Sequence, residues 1–201
     1  MMGPSPAVSK GRHGGPGAGS IRTRARMAIL CAGSALLAQA VRADVMETGA
    51  RETEARIKVA FVYNFPKFID WPDEPRATEA PIRICVLGTD PMGTLLGDLS
   101  LRTVRDRLIE VATITDRTPL SSCQMLYIGR SEEQQLPVVL QQARGTPVLT
   151  VSDIPLFAHL GGMIGFVIEQ DRVRIEINPG ALLQAGLKAR AKLLEIARIV
   201  Q

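Results

Sequence analysis

The 201-residue sequence predicts an α/β fold: a single-domain three-layer sandwich, its mostly parallel sheet carrying helices on both faces and ending in an antiparallel C-terminal hairpin. Three observations carry that expectation. The runs Ile82 to Leu87, Leu108 to Ile114, Met125 to Ile128 and Val148 to Val151 are nearly continuously apolar, as strands covered on both faces are. Stretches with helical spacing separate several of them. Two later runs, Met163 to Glu169 and Val173 to Asn178, are divided by little more than Gln170-Asp171, which reads as a hairpin.

The first element is a helix over Glu52 to Ile69. Its apolar positions Ile57, Phe61, Phe65 and Phe68 mark a stripe for the core. Pro66 removes a backbone donor and crowds the preceding turn, so the helix is expected to kink near Val62 to Pro66 or to end there. Five of the eight aromatic side chains, Phe61, Tyr63, Phe65, Phe68 and Trp71, fall between Lys58 and Pro72, although the chain is only 4% aromatic. Such crowding anchors a core or forms a recognition surface. Tyr63, Asn64, Lys67 and Trp71 point off the stripe, and Tyr63, Lys67 and Trp71 are the candidates for contact with a partner protein.

Trp71-Pro72 opens a turn that passes Pro75 and Pro81 to the first long strand. Gly88-Thr89-Asp90-Pro91 then supplies a cap and a proline at the first helical position for a short helix over Met92 to Leu99. The strand over Leu108 to Ile114 follows, then Met125 to Ile128, a helix over Glu132 to Gln142, and Val148 to Val151 leading into Ser152-Asp153. In the last run Val173, Ile175 and Ile177 alternate with Arg174, Glu176 and Asn178, which predicts one buried and one solvated face. Pro179 opens a terminal helix expected to reach Val200, with Leu183, Leu187 and Leu194 turned to the core. No internal repeat occurs, and no linker is long enough to set off a second domain.

Residues 1–43 read as a secretory leader. A Gly/Pro-rich extension precedes Arg22, Arg24 and Arg26, and the apolar run Met27 to Ala38 is short for a bilayer span. Small residues at both positions of Ala38-Gln39-Ala40 and of Val41-Arg42-Ala43 place cleavage after Ala40 or, preferably, Ala43, which leaves 44–201 as the exported domain. Cys31 lies within the apolar run and departs with it. The leader also owns the positive charge: six of the 24 basic residues precede Asp44 and no acidic one does, so the remainder carries 18 basic against 20 acidic residues, net −2. No basic patch interleaved with aromatics is left for nucleic acid. Cys85 and Cys123, the two cysteines beyond the leader, are disulfide candidates in an oxidising compartment, the alternative being two buried thiols.

Few groups offer catalysis. His159 is alone in the exported part, with no second histidine for a metal site, and no nucleophile elbow, phosphate loop or repeated Cys/His spacing occurs. The sequence therefore predicts no enzyme, no cofactor and no metal. In an open α/β sheet small ligands collect at the carboxyl ends of strands, here Gly88-Thr89-Asp90, Gly129-Arg130-Ser131 and Ser152-Asp153. Asp90, Ser152 and Asp153, together with Arg174 and Asn178 on the final strand, are the ligand candidates, and the same residue types also serve as caps and turns.

Taken in order, these motifs resemble a known family. They are Tyr63-Asn64-Phe65 with Phe68-Ile69-Asp70-Trp71-Pro72, Ile84-Cys85-Val86-Leu87-Gly88, Ser122-Cys123, Pro147 to Asp153, Gly161-Gly162-Met163-Ile164, Arg174 to Asn178, and Ala185-Gly186-Leu187-Lys188 through Leu194. The set is similar to the YfiR-type periplasmic proteins (YfiR/HmsC-like), over about Arg56 to Val200. The resemblance implies a small periplasmic α/β regulator, commonly a homodimer. It binds the periplasmic part of an inner-membrane diguanylate cyclase and represses it, release raising cyclic di-GMP and favouring biofilm. Cys85 and Cys123 match the family's cysteines, whereas a second pair found in some members is missing, and Pro66 stands where a small or polar residue is usual. The other reading of the sequence is a periplasmic small-molecule-binding sensor domain.

Overall fold

The computed structural model describes residues 48–72, 80–115 and 119–200. The leader expected over residues 1–43, with its cleavage sites, and the turn at Pro75 lie outside the described residues; those from Gly49 onward belong to a compact unit spanning Gly49–Gln201. In chain order the elements are α1 (48–68), β1 (Ile69–Asp70), β2 (Ile82–Leu87), α2 (Pro91–Gly97), β3 (Thr103–Val104), β4 (Arg107–Ile114) and β5 (Met125–Ile128). They continue with α3 (Leu136–Ala143), β6 (Leu149–Ser152), β7 (Ile164–Glu169), β8 (Arg172–Ile177), α4 (Pro179–Gln184), β9 (Lys188–Ala189), α5 (Ala191–Leu194) and β10 (Arg198–Ile199).

Eight of these strands share one sheet in the order β10-β8-β7-β6-β5-β2-β4-β3 among the described residues. From β4 through β2, β5 and β6 to β7 every pairing is parallel, and β7 and β8 form the expected antiparallel hairpin, in register from Ile164↔Ile177 to Glu169↔Arg172. The order reverses at β2. The connection through α2 leads one way to β4, and the connection through α3 leads the other way from β5 to β6, so the two helices cover opposite faces. On one face α1, α2 and α4 enclose Val62, Phe65, Ile84, Val86, Leu96, Tyr127, Val151, Phe166, Ile177 and Leu182. On the other, α3 and the segment around Ile154 and Phe157 cover Cys85, Leu87, Leu126, Ile128, Leu136 and Val139. The α/β sandwich with helices on both faces is the fold the sequence predicts.

Three local expectations need correction. First, α1 neither stops at Pro66 nor buries the stripe through Ile57. The helix continues to residue 68, and its buried residues are Lys58, Val62, Phe65 and Pro66, with buried Ile69 following in β1, while Ile57 is 43% exposed. Proline deprives an upstream carbonyl of its donor, and the end of the helix is held instead from outside, by Arg105 donating to the carbonyls of Pro66 (3.2 Å) and Ile69 (3.4 Å). Phe61 is half-buried, stacks on Phe65 and meets Phe166 at a tilt, with ring centroids 6.2 and 6.1 Å away.

Second, the long terminal helix is broken. The helix α4 ends after Gln184 in a Schellman turn: Gly186 adopts φ +72°, its N–H bonds the Leu183 carbonyl, and the N–H of Leu187 reaches back to Leu182. Buried Leu182 and Leu187 supply the hydrophobic contact that accompanies such turns. The chain then adds β9 antiparallel to β1, the short α5, and β10 parallel to β8.

Third, the outer face of β8 is not solvated throughout. Arg174 is exposed, but Glu176 is 1% exposed, because Arg198 of β10 pairs with its carboxylate and with Glu169 while His159 Nε2 sits 3.8 Å away. His159 thus faces a carboxylate that no local spacing announces. Gly161, at φ +102°, turns the chain toward β7.

Candidate functional site

A lysine on the buried stripe of α1 is the least expected residue of the structure. Lys58 is 5% exposed, and its Nζ lies 2.7 Å from Asp153 Oδ2 and 2.5 Å from Glu54 Oε1. Asp153 follows directly on β6, so the pair ties the inward face of the helix to the carboxyl end of the sheet. Two further donors converge on the same carboxylate. Tyr127, on β5, donates to Oδ1 at 3.3 Å, and Arg130, just past the end of β5, brings Nε within 3.3 Å of Oδ2. Burial pushes the Tyr127 phenol well above its ordinary value, with the negative charge of Asp153 adding to the effect. The phenol therefore stays protonated and serves as a donor to the carboxylate. A buried charge is tolerated when its lone pairs are filled in this way, and the geometry fixes α1 in one register against β5 and β6.

With its inner side pinned, α1 carries Tyr63 and Lys67, one helical turn apart, on a half-buried face, with Tyr63 also packing against the edge of the core. Lys67 Nζ stands 4.8 Å above the Tyr63 ring and 2.9 Å from Asn64 Oδ1, while the Tyr63 hydroxyl donates to the Thr103 carbonyl at 2.8 Å. The pair forms a preordered aromatic and cationic patch. Trp71, beyond β1, is half-buried against the core, and its indole N–H meets no acceptor among the described residues.

The end of this segment is clamped by the far end of the chain. Ile69 pairs with Ala189 and Asp70 with Lys188, the Arg190 N–H reaches the Phe68 carbonyl at 2.8 Å, and the Arg190 guanidinium grips Asp70 Oδ1 at 2.6 Å. The hydrogen bond from Arg190, reinforced by its charge, holds the Asp70 carboxyl below the usual aspartate value. An acid whose folded pKa is lowered stabilises the fold above its unfolded value, near about 3.9, and loses that contribution as pH falls through the lowered one. Both side chains are about half exposed, so the expected contribution is no more than about 1 kcal/mol. In acid titrations of thermal stability, Asp70→Asn is accordingly expected to melt slightly lower than the parent at neutral pH and to match it once the medium falls below the lowered pKa. A gap that persists at the acid end would contradict the assignment.

The other candidate residues are dispersed. Asp90 caps α2, its Oδ1 accepting from Met92 N–H at 2.7 Å. Next to it the crevice where the strand order reverses is bridged by Thr89 N–H donating to Ser131 Oγ at 2.9 Å. Ser152 is buried, donating to the Ile128 carbonyl and accepting from Ile154 N–H. Arg174 is exposed in β8. Asn178 caps α4 through Ala181 N–H and donates to the Ala158 carbonyl. Because β8 runs antiparallel to β7, Asn178 stands at the opposite end of the sheet from Asp90 and Asp153. Sequence reasoning placed Asp153 correctly at a strand end but missed Lys58 and Tyr127, its partners. A lysine spaced four and seven residues ahead of Val62 and Phe65 was the available signal.

On the other face of the sheet, Cys85 in β2 and Cys123 just before β5 form a disulfide with Cα atoms 5.9 Å apart. Both cysteines are buried, at 0% and 3% exposure. Among the described residues no helix is long and apolar enough to cross a membrane, and no three His, Cys, Asp or Glu side chains are grouped to hold a metal ion. The disulfide, the pinned aromatic helix and the hairpin all lie within residues 55–198, the span matched by the family model described as YfiR/HmsC-like. That span is well over half of the sequence, and the chain belongs to the YfiR/HmsC-like family.

Proposed function

We propose that the protein is a non-catalytic periplasmic regulator that binds the periplasmic part of an inner-membrane diguanylate cyclase and holds the enzyme inactive. Family membership over residues 55–198 is the observation that carries this reading. Residues 1–43 export the chain and are removed, and the mature protein acts as a homodimer. Partner contact falls on Tyr63, Lys67 and Trp71. Support for that face comes from the Lys58 to Asp153 pair behind it: a helix already fixed in register loses little further freedom on binding, so its aromatic and cationic groups can serve as anchors.

Co-purification of the tagged protein with the membrane cyclase of its own cell, with cellular cyclic di-GMP measured in parallel, tests the proposal. Deletion of the protein is expected to raise cyclic di-GMP. The variant Tyr63→Ala/Lys67→Ala/Trp71→Ala is expected to weaken capture by at least roughly thirtyfold, the loss of a little over 2 kcal/mol of anchor contacts. Because Tyr63 and Trp71 also pack against the core, Lys67→Ala is run beside it and is expected to weaken capture in the same direction. Full capture by both variants would discard this surface, and unchanged cyclic di-GMP on deletion would discard the regulatory role.

A further inference from the structure

A cavity of about 320 Å³ opens at the amino ends of β6 and β7, at the rim of the sheet opposite the Lys58 cluster, between the last turn of α3 and α4. Its size lies at the lower limit of small-molecule sites. Leu140, Leu160, Met163 and Ala185 furnish apolar wall, and two polar groups stand out among the lining residues. Arg144, just past α3, is the sole charged residue of the lining, no carboxylate borders the space, and its guanidinium makes no ion pair among the described residues. Thr150 is 1% exposed; its Oγ1 accepts from Met163 N–H at 3.1 Å, and its hydroxyl hydrogen meets no acceptor among the described residues.

A buried hydroxyl donor without an acceptor costs free energy unless something in the cavity accepts from it. A free guanidinium at the mouth selects the charge of that acceptor, since its planar fork fits a carboxylate with two parallel hydrogen bonds. One cation neutralises one negative charge, and the wall formed by Leu140, Leu160, Met163 and Ala185 accommodates a compact apolar body beside the amides of Gln141, Asn178 and Gln184. We propose that this cavity binds a small organic monocarboxylate with a compact apolar body, its carboxylate on Arg144 and within reach of Thr150. The site is separate from the α1 face, so its occupancy can be measured without any protein partner.

Isothermal titration of the purified protein with benzoate, phenylacetate and hexanoate, and with benzamide as the neutral counterpart of benzoate, tests the assignment. At least one of the three anions is expected to bind saturably, with benzamide at least roughly tenfold weaker than benzoate if benzoate is the binder. Arg144→Gln, an exposed position that leaves the fold intact, is expected to lower the affinity for the bound anion by at least roughly tenfold, the scale of one charge-assisted hydrogen bond. Thr150→Val is expected to weaken it in the same direction. Absence of saturable binding by all three anions, or equal affinity in Arg144→Gln and the parent, overturns the proposal.

Discussion

Serine in place of Cys123 is expected to lower the stability of the folded protein by about 4 kcal/mol, the chain-entropy value for closing a loop between positions separated by 38 residues. For a domain of this size that corresponds to a fall in melting temperature on the order of 10 °C. The effect is large because of where the bridge sits. Cys85 lies in β2, the strand at which the order of the sheet reverses, and Cys123 immediately precedes β5, its neighbour on the other side of the reversal. The crosslink therefore holds together two strands whose connection must first travel through α2, β3 and β4. Both sulfurs are enclosed with Leu126, Ile128 and Phe157, so the bridge also contributes apolar contact. Melting curves of the parent and Cys123→Ser, recorded without reductant, decide the matter. Curves that coincide within a degree would refute the assigned contribution, and the parent melted after unfolding in reductant should behave like the variant.

Cutting the buried charge pair is the second large effect. Lys58→Ala leaves the Asp153 carboxylate in a buried site with Tyr127 and the half-exposed Arg130 as its remaining donors. Removal of one partner from a buried ion pair costs about 3 to 5 kcal/mol, and the surviving donors place this case near the lower value, about 3 kcal/mol. Asp153→Ala should cost a comparable amount, softened by Glu54, which stays within reach of Lys58. Replacing both together, as Lys58→Met/Asp153→Leu, removes charge from both sides of the contact and is expected to recover most of the loss. Urea unfolding of the parent, Lys58→Ala, Asp153→Ala and Lys58→Ala/Asp153→Ala forms a double-mutant cycle whose coupling reports the pair itself. Additive single effects, or a loss below about 1 kcal/mol for Lys58→Ala, would show that the lysine does not hold α1 in place.

The parts of the fold that follow local rules could be read before any coordinates. Continuous apolar runs gave the parallel strands, Asp90 and Pro91 marked the start of α2, and the short gap at Gln170-Asp171 gave the hairpin. What escaped depended on residues distant in sequence. Lys58 reads locally as a solvated helix position, and only Asp153, 95 residues away, makes it a core residue. Glu176 alternates with apolar neighbours and reads as exposed until Arg198 closes over it. Pro66 looks like a helix terminator because the donor that holds the end of the helix, Arg105, belongs to a turn 39 residues later. The break after α4 is different, since Ala185-Gly186-Leu187 carries the glycine and the apolar residue of a Schellman turn, and an apolar periodicity running past that glycine concealed it. The candidate site was legible in the same proportion. The aromatic helix and the disulfide were visible, whereas the charge network that seats the helix was not.

The clamp between β1 and β9 bears on the order in which the molecule can assemble during synthesis. Phe68 and Asp70 receive their partners from Arg190, so the seat of the first helix is completed by a residue that follows Asp70 by 120 positions. Contacts of such wide separation form only after the intervening chain has been gathered, which delays them relative to the sheet. A ribosome still holding the segment 188–190 would leave the Tyr63 and Lys67 surface without its final support, and maturation of that surface thereby waits for this distant segment to emerge.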